Sequence, residues 1–369
     1  MKIVEVINVD FALAQFLLPL MREARARGHE VVGVCADGPL LARVRAEGFR
    51  VVTVPMMRSL SPRGQWRAFQ ALVRVLRAER PDLVHAHMPI SGVLARVAAK
   101  VVGVRRIATT CHGFLFNQPG SSARRFAGWV AEFVAARCTD VFLTVSRDEA
   151  ADARRVLLVR DPIPVGNGAD PLRFHPDPVA RAEVRAELGV GLDRVVILIA
   201  SRVVRHKGYP ELLVAMGGVL GAELWIVGTR LESDHGEDME PYFGRAALGE
   251  RLRRLGWRDD MPRLLAAADI FVLPSHFEGL PLSVIEAMMT GLPVVATDIR
   301  GPRELVEPDC SGILVPAGES VLLAAALNRL ARDAELRARM GARAREIALA
   351  RYDEITIARR TLDLLLGTA

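Results

Sequence analysis

The chain has 369 residues, of which 51% are apolar and 25% charged, with a net charge of +6. That length exceeds what one growing hydrophobic core serves, so two domains are expected in an ordinary soluble globular protein. No uncharged apolar run reaches the roughly 18 residues of a spanning helix, and Glu5 and Asp10 interrupt the first apolar stretch, which argues against a signal peptide. Cys35, Cys111, Cys138 and Cys310 have no metal-ligand spacing, as expected of reduced thiols in the cytoplasm. The charge is uneven. Residues 1–165 hold 24 Lys and Arg against 14 Asp and Glu, and residues 166–369 hold 25 against 29. A balance of +10 in the first half suits an anionic partner, such as a membrane surface or a lipid-linked phosphate, or else reflects arginine-rich solvated faces. No aromatic and basic strip supports nucleic acid.

In chain order, Ile3–Val9 reads as a strand and Phe11–Arg27 as a helix stopped by Gly28. Val31–Cys35, Leu40–Glu47, Val51–Val54, Trp66–Glu79, Leu83–Ala86, Ser91–Val102, Arg106–Thr110, Phe126–Ala136 and Val141–Val145 continue the alternation. Apolar strands without internal polar alternation belong to a parallel sheet covered on both faces. Asp161–Pro178, rich in proline and glycine, reads as a connection between domains. A second series follows: strands Val195–Ala200, Leu224–Val227, Ile270–Pro274 and Val294–Thr297, with helices Glu211–Leu220, Tyr242–Leu255, Met261–Ala267, Ser283–Met289 and Val321–Leu330. The expected architecture is α/β, with two Rossmann-like doubly wound domains, residues 1–165 and 166–352, facing across a deep cleft. The amphipathic end, 353–369, is expected to pack back on the first domain.

Glu278 and Glu286 carry the strongest chemical signal. Glu278 follows an apolar strand in a Gly-Pro turn, and Glu286 lies about one turn into the next helix. Between them, the amides of Gly279, Leu280 and Leu282 would point out of a helix N-terminus, a site for phosphate. Two acceptor carboxylates around an anion site suit a nucleotide sugar. Arg202 and Lys207 leave the first strand of the second domain, where they either grip a diphosphate or are simply solvated. His112, directly after a strand and before Gly113, is either structural or directed at the cleft. It cannot form a dyad with Cys111, because adjacent strand-end residues face opposite ways. Asn167 and Gly168 suit a tight turn at positive φ, with Asp170 facing the cleft. His85 and His87, alternating on a strand, are not expected to share one metal.

These pieces occur together and in order: Thr110-x-His112-Gly113, Asn167-Gly168-x-Asp170, Arg202 to Lys207-Gly208, and Glu278-Gly279-Leu280-Pro281 to Glu286-Ala287. In that arrangement the chain resembles family 4 of the retaining GT-B glycosyltransferases, together with Gly28-His29-Glu30-Val31 and Ala268-Asp269. The resemblance implies catalytic or sugar-contacting roles for Glu278, His112, Arg202 and Lys207. It implies donor binding by Gly279, Leu280, Glu286, Asn167 and Asp170, with Glu286 on the ribose hydroxyls and no metal or cofactor beyond the nucleotide-sugar co-substrate. Retention implies front-side attack, with the leaving diphosphate taking the acceptor's proton. In place of the family's Gly-Gly turn after the first strand, this chain has Asn8-Val9-Asp10-Phe11-Ala12. A subgroup of N-acetylhexosaminyl transferases of lipid-linked oligosaccharide and polysaccharide assembly shares that departure. It also resembles this chain in Met57-Arg58-Ser59-Leu60-Ser61-Pro62 and in His85-Ala86-His87 to Gly92.

The expected function is therefore sugar transfer from a UDP-sugar, of the UDP-N-acetylhexosamine type, to a polyprenyl-diphosphate-linked glycan. The alternatives are a GDP-mannose or UDP-glucose enzyme with a soluble acceptor and, in another class, a nucleotide-sugar 2-epimerase. A cytoplasmic location is expected, with peripheral attachment to the inner face of the plasma membrane as a hypothesis from the basic half.

Overall fold

The computed structural model describes residues 1–56, 61–230, 234 and 237–368, so Met57–Leu60 of the proline-ended motif lie outside the described residues. The chain forms two compact units, Met1–Gly166 with Ile355–Ala369, and Asn167–Glu354.

In the first unit the described residues form seven strands: β1 (Lys2–Val6), β2 (Glu30–Cys35), β3 (Arg50–Thr53), β4 (Leu83–His87), β5 (Arg106–Cys111), β6 (Val141–Thr144) and β7 (Ile163–Pro164). They lie in the order β3-β2-β1-β4-β5-β6-β7, with every pairing parallel. Strand periodicity explains why both faces are apolar. Ile3, Val31 and Leu83 enter one core cluster, and Val4, Val32 and Val84 enter another on the opposite face. The helix Glu354–Leu366 adds Leu362 and Leu365 to the cluster of Ile3, and Asp363 pairs with Arg27. The predicted helix from Phe11 begins at Asp10 and widens into a π-helical turn over Leu13–Leu17 before resuming as Leu18–Ala26.

In the second unit, β8 (Val195–Ala200), β9 (Ala222–Val227), β10 (Leu252–Gly256), β11 (Ile270–Leu273), β12 (Val294–Thr297) and β13 (Gly312–Val315) pair in the order β10-β9-β8-β11-β12-β13. All pairings are parallel. The sequence-based helix Tyr242–Leu255 is wrong at its end. The helix stops at Arg245, and Leu252–Gly256 is an edge strand whose apolar positions are sparse because it is only half-buried. The fold also includes helices absent from the sequence reading, Pro178–Glu187 and Ala334–Arg351. Each sheet has one switch point where its order reverses, between β1 and β4 and between β8 and β11. Crevices at the carboxyl ends of strands on either side of such a point are where open α/β sheets hold ligands.

Candidate active site

The loops after β8 and β11 meet at the second unit's switch point. Gly208 has φ 77, and a Cβ there would collide with the carbonyl of Pro274, just past β11, so only glycine lets the two loops touch. That contact carries Lys207 to Glu278, with Nζ 2.6 Å from Oε1. The Ser275 hydroxyl donates to the same oxygen at 2.6 Å, and the amide of His276 donates to the His206 carbonyl at 2.8 Å. Among the described residues, Glu278 Oε2 accepts nothing. A carboxylate fixed through one oxygen, with its other oxygen open, is pre-organised to accept ligand hydroxyls.

The helix Leu282–Met289 begins immediately beyond. The amides of Gly279, Leu280, Leu282 and Ser283 donate to no group among the described residues. The turn is held from behind, where the Asn167 side-chain amide donates to the Leu280 carbonyl at 2.7 Å. Four open amides at the positive end of a helix dipole suit an anion. Farther into the helix, Glu286 is half-buried, and its carboxyl has no hydrogen-bond partner among the described residues. Burial raises its pKa to about 7 against the opposing charge of Arg173. A half-buried carboxyl without a partner among the described residues is a group that can accept from a ligand's donors.

Arg202 pairs with Asp234, and both charges act on His206. Burial lowers the His206 pKa to about 4, aided by Lys207 and Arg202 and opposed by Glu278 and Asp234, so the imidazole is neutral at physiological pH. Sequence reasoning missed His206 and Ser275. His206 lies within the Arg202 to Lys207 stretch and Ser275 just beyond the strand that ends at Leu273, and nothing in the sequence ties either to Glu278. Asp170 accepts the Leu172 amide at 2.8 Å and so shapes its own turn. The positive φ falls on Gly166 rather than on Asn167 or Gly168. Gly168 is needed for a different reason: a Cβ there would strike the backbone of Glu354. Asp269 also turns out to be structural, accepting from Arg181 at 2.7 Å, Arg185 at 2.6 Å and the Val196 amide at 2.7 Å.

The first unit's switch point holds a second polar group. Glu5 on β1 is in register with His85 on β4. Residues two apart on a strand share a face, so the expectation that His85 and His87 diverge is overturned. Both rings converge on Glu5 Oε2, His85 Nδ1 at 2.9 Å and His87 Nε2 at 2.9 Å, and the three buried ligand atoms lie within 4.8 Å of one another. His85 Nε2 is 2.8 Å from Thr110 Oγ1, and His87 Nδ1 is 3.3 Å from His112 Nε2. Phe16, carried by the π-helical turn, stacks on His112 at 6.1 Å between centroids.

Burial alone would raise the Glu5 pKa, but His85 and then His87 outweigh it and hold the carboxyl ionised. Burial, with the neighbouring histidines, pushes His87 and His112 down, so both stay neutral. If Glu5 accepts from His87 Nε2–H, His87 Nδ1 must accept from His112, which fixes the His112 tautomer. The signal for this network was a carboxylate inside a buried β-branched strand, a place that demands partners.

Open amides flanked by a fixed carboxylate and a lysine, at the switch point of the second parallel-sheet unit, suit a phosphorylated ligand that carries hydroxyls. The comparisons agree. The model "Glycosyltransferase Family 4" matches residues 13–171, and "Glycosyl transferases group 1" matches residues 180–347. A GDP-mannose-dependent alpha-(1-6)-phosphatidylinositol monomannoside mannosyltransferase of Mycobacterium tuberculosis is 30% identical over 348 residues, 88% of this chain and 85% of that protein. UDP-Gal:alpha-D-GlcNAc-diphosphoundecaprenol alpha-1,3-galactosyltransferase of Escherichia coli is 28% identical over 309 residues, 81% of this chain and 79% of that protein. Among solved structures, HepE of Anabaena, in complex with UDP and glucose, superposes with a TM-score of 0.84 at 23% identity, covering 100% of each chain. The chain belongs to glycosyltransferase family 4, and its fold is GT-B.

Proposed function

We propose that this enzyme transfers a sugar from a UDP-sugar, of the UDP-N-acetylhexosamine type, to a hydroxyl of a polyprenyl-diphosphate-linked glycan, with retention at the anomeric carbon. The carrying observation is Glu278, held by Lys207 and Ser275 beside the four open amides at the start of the Leu282–Met289 helix. In this reading the diphosphate lies on those amides, with Lys207 and Arg202 neutralising it. Glu278 Oε2 accepts sugar hydroxyls, Glu286 accepts the ribose hydroxyls, and His112 lines the sugar pocket. The bond from the anomeric carbon to the diphosphate oxygen breaks as the acceptor oxygen bonds to the same carbon from the same face. The acceptor's proton passes to the departing diphosphate oxygen, and no metal is required. The Escherichia coli relative, named for UDP-Gal as donor and a diphosphoundecaprenol-linked acceptor, supports a UDP-sugar and a lipid-linked acceptor. The mycobacterial relative, named for GDP-mannose, supports the second reading, in which the donor is GDP-mannose.

The test is Glu278→Ala and Glu278→Gln, assayed by release of UDP from a panel of UDP-sugars in the presence of a polyprenyl-diphosphate-linked acceptor. Loss of turnover with preserved folding is the expected result. Wild-type rates in both variants would reject the assignment.

A further inference from the structure

At the first unit's switch point, a relay of hydrogen bonds joins a buried carboxylate to a half-buried ring, and the relay has a direction. Glu5 is buried and, in its ionised form, offers only acceptors. Two ring nitrogens stand 2.9 Å from its Oε2, Nδ1 of His85 and Nε2 of His87. Each carries its hydrogen there. Burial keeps His87 neutral, and a neutral imidazole has one N–H, so His87 Nδ1 is left as a buried acceptor. The group that reaches it is His112 Nε2, at 3.3 Å. To satisfy it, His112 places its own hydrogen on Nε2 and keeps a lone pair on Nδ1. That Nδ1 meets no group among the described residues, in a ring that is only half-buried.

Both ends of the relay are held in place. Met88, directly after His87, has φ 66, a conformation that a methionine rarely adopts. The Ser91 hydroxyl donates to the His87 carbonyl at 2.7 Å, and a Cβ on Gly92 would lie 3.3 Å from that same oxygen. Such strain persists where the surroundings over-determine a residue, and it collects at functional sites. At the other end, Phe16 stacks on His112 with 6.1 Å between centroids and 20° between planes. A half-turn of the His112 ring would set Cε1 against His87 Nδ1 and leave a buried acceptor unbonded.

We propose that Glu5, acting through His87, is a positioning residue that makes His112 Nδ1 a fixed hydrogen-bond acceptor for a ligand hydroxyl. Neither Glu5 nor His87 touches the ligand. An open Nδ1 lone pair bonds a hydroxyl and repels an oxygen that carries no hydrogen. That the hydroxyl belongs to the donor sugar rests on the reading above; the direction of the relay does not. A divalent metal on Glu5, His85 and His87 would reverse that direction. Both histidines would then give lone pairs to the ion, His87 Nδ1 would hold the hydrogen, and His112 would become an Nδ1–H donor.

The tautomer is read on the free protein by long-range proton–nitrogen NMR of the full chain labelled at its histidine nitrogens. His112→Gln identifies the His112 signals, and emission spectrometry measures bound metal. The wild type is expected to be protonated at His112 Nε2 and bare at Nδ1, without stoichiometric metal. His87→Phe, which deletes both nitrogens, should lose that preference, and His87→Asn, whose amide oxygen can stand where Nδ1 stood, should restore it. In calorimetry, His87→Phe should bind a UDP-N-acetylhexosamine at least about tenfold more weakly, the worth of one hydrogen bond, and bind UDP, which has no sugar, as the wild type does. An Nδ1–H tautomer, an even mixture of the two, or stoichiometric metal overturns the proposal. So does an unchanged UDP-sugar affinity in His87→Phe, or an equal loss for UDP and UDP-sugar, which would make the relay merely structural. The wild-type tautomer decides even if His87→Phe does not fold. If neither ligand binds the wild type, the donor reading fails, and the NMR result still decides the direction of the relay.

Discussion

Lowering the pH from about 8 to about 6 protonates Glu286, whose pKa burial raises to about 7, and this must weaken any ligand that donates hydroxyls to its carboxylate. The sign follows from linkage. A ribose diol bonded to the carboxylate favours the ionised form, so its pKa falls on binding and a proton is released. If the bound pKa returns to the ordinary 4.5, release is about half a proton near pH 7 and about 0.9 near pH 6. Affinity is then about tenfold lower at pH 6 than at pH 8 and nearly flat above pH 8. His206, whose pKa lies at about 4, does not titrate in this window, nor does the diphosphate diester of a nucleotide sugar. Calorimetry of a UDP-sugar in two buffers of different ionisation enthalpy reads the released proton directly. In Glu286→Gln the release and the pH slope should both vanish, with affinity at pH 8 reduced by the loss of a charge-assisted hydrogen bond. Proton release that survives Glu286→Gln, or wild-type binding that does not vary with pH, refutes the placement of Glu286 on the ribose.

The same group destabilises the fold when ionised. Its raised pKa means that stability falls as pH climbs from about 4.5 through about 7, by an upper bound of about 3 kcal/mol that partial solvent exposure reduces to about 1–2 kcal/mol. Glu286→Gln should therefore be more stable than wild type in urea melts at pH 8 and equal to it near pH 4. For Glu278→Gln, where Ser275 can still donate to the amide oxygen, kcat should drop by about 10²–10³ with little change in melting. A drop of less than about tenfold would contradict its role. Glu5→Gln removes the anion between two buried histidines and should cost about 3–5 kcal/mol in equilibrium unfolding at pH 7. The held-down pKa of Glu5 means that its contribution is present above the normal carboxylate range and is lost as pH falls below it, so the two proteins should converge in acid. Dialysis against a chelator should leave turnover unchanged. A requirement for added zinc, restored stoichiometrically and abolished by His85→Ala, would instead assign the Glu5, His85 and His87 group to a metal.

How far the sequence reveals this molecule varies with the physics. Buried parallel strands such as Val195–Ala200 and Ile270–Leu273 are continuous apolar runs, and they are legible without any tertiary knowledge. The edge strand Leu252–Gly256 is not, because Arg253 and Arg254 break its apolar pattern and a half-buried strand imitates the end of a helix. The Glu278 turn and the helix after it could be placed because Gly-Leu-Pro marks a turn and the next residues favour a helix. Its partner Ser275 could not, since a hydroxyl three residues upstream acquires meaning only once the loop folds back. The Glu5, His85 and His87 group was visible in principle. Period two puts His85 and His87 on one face, and a carboxylate in a buried strand requires partners; what the sequence withheld was that β1 lies beside β4.

The central claim is that the Glu278 and Glu286 site holds a nucleotide sugar for transfer to an acceptor. Its most direct test is an NMR time course of UDP-sugars and GDP-mannose incubated with and without a polyprenyl-diphosphate-linked acceptor. The account predicts that UDP accumulates in step with a new α-linked product only when enzyme and acceptor are both present. Conversion of the donor alone into an isomeric nucleotide sugar, or a product of inverted configuration, would contradict it.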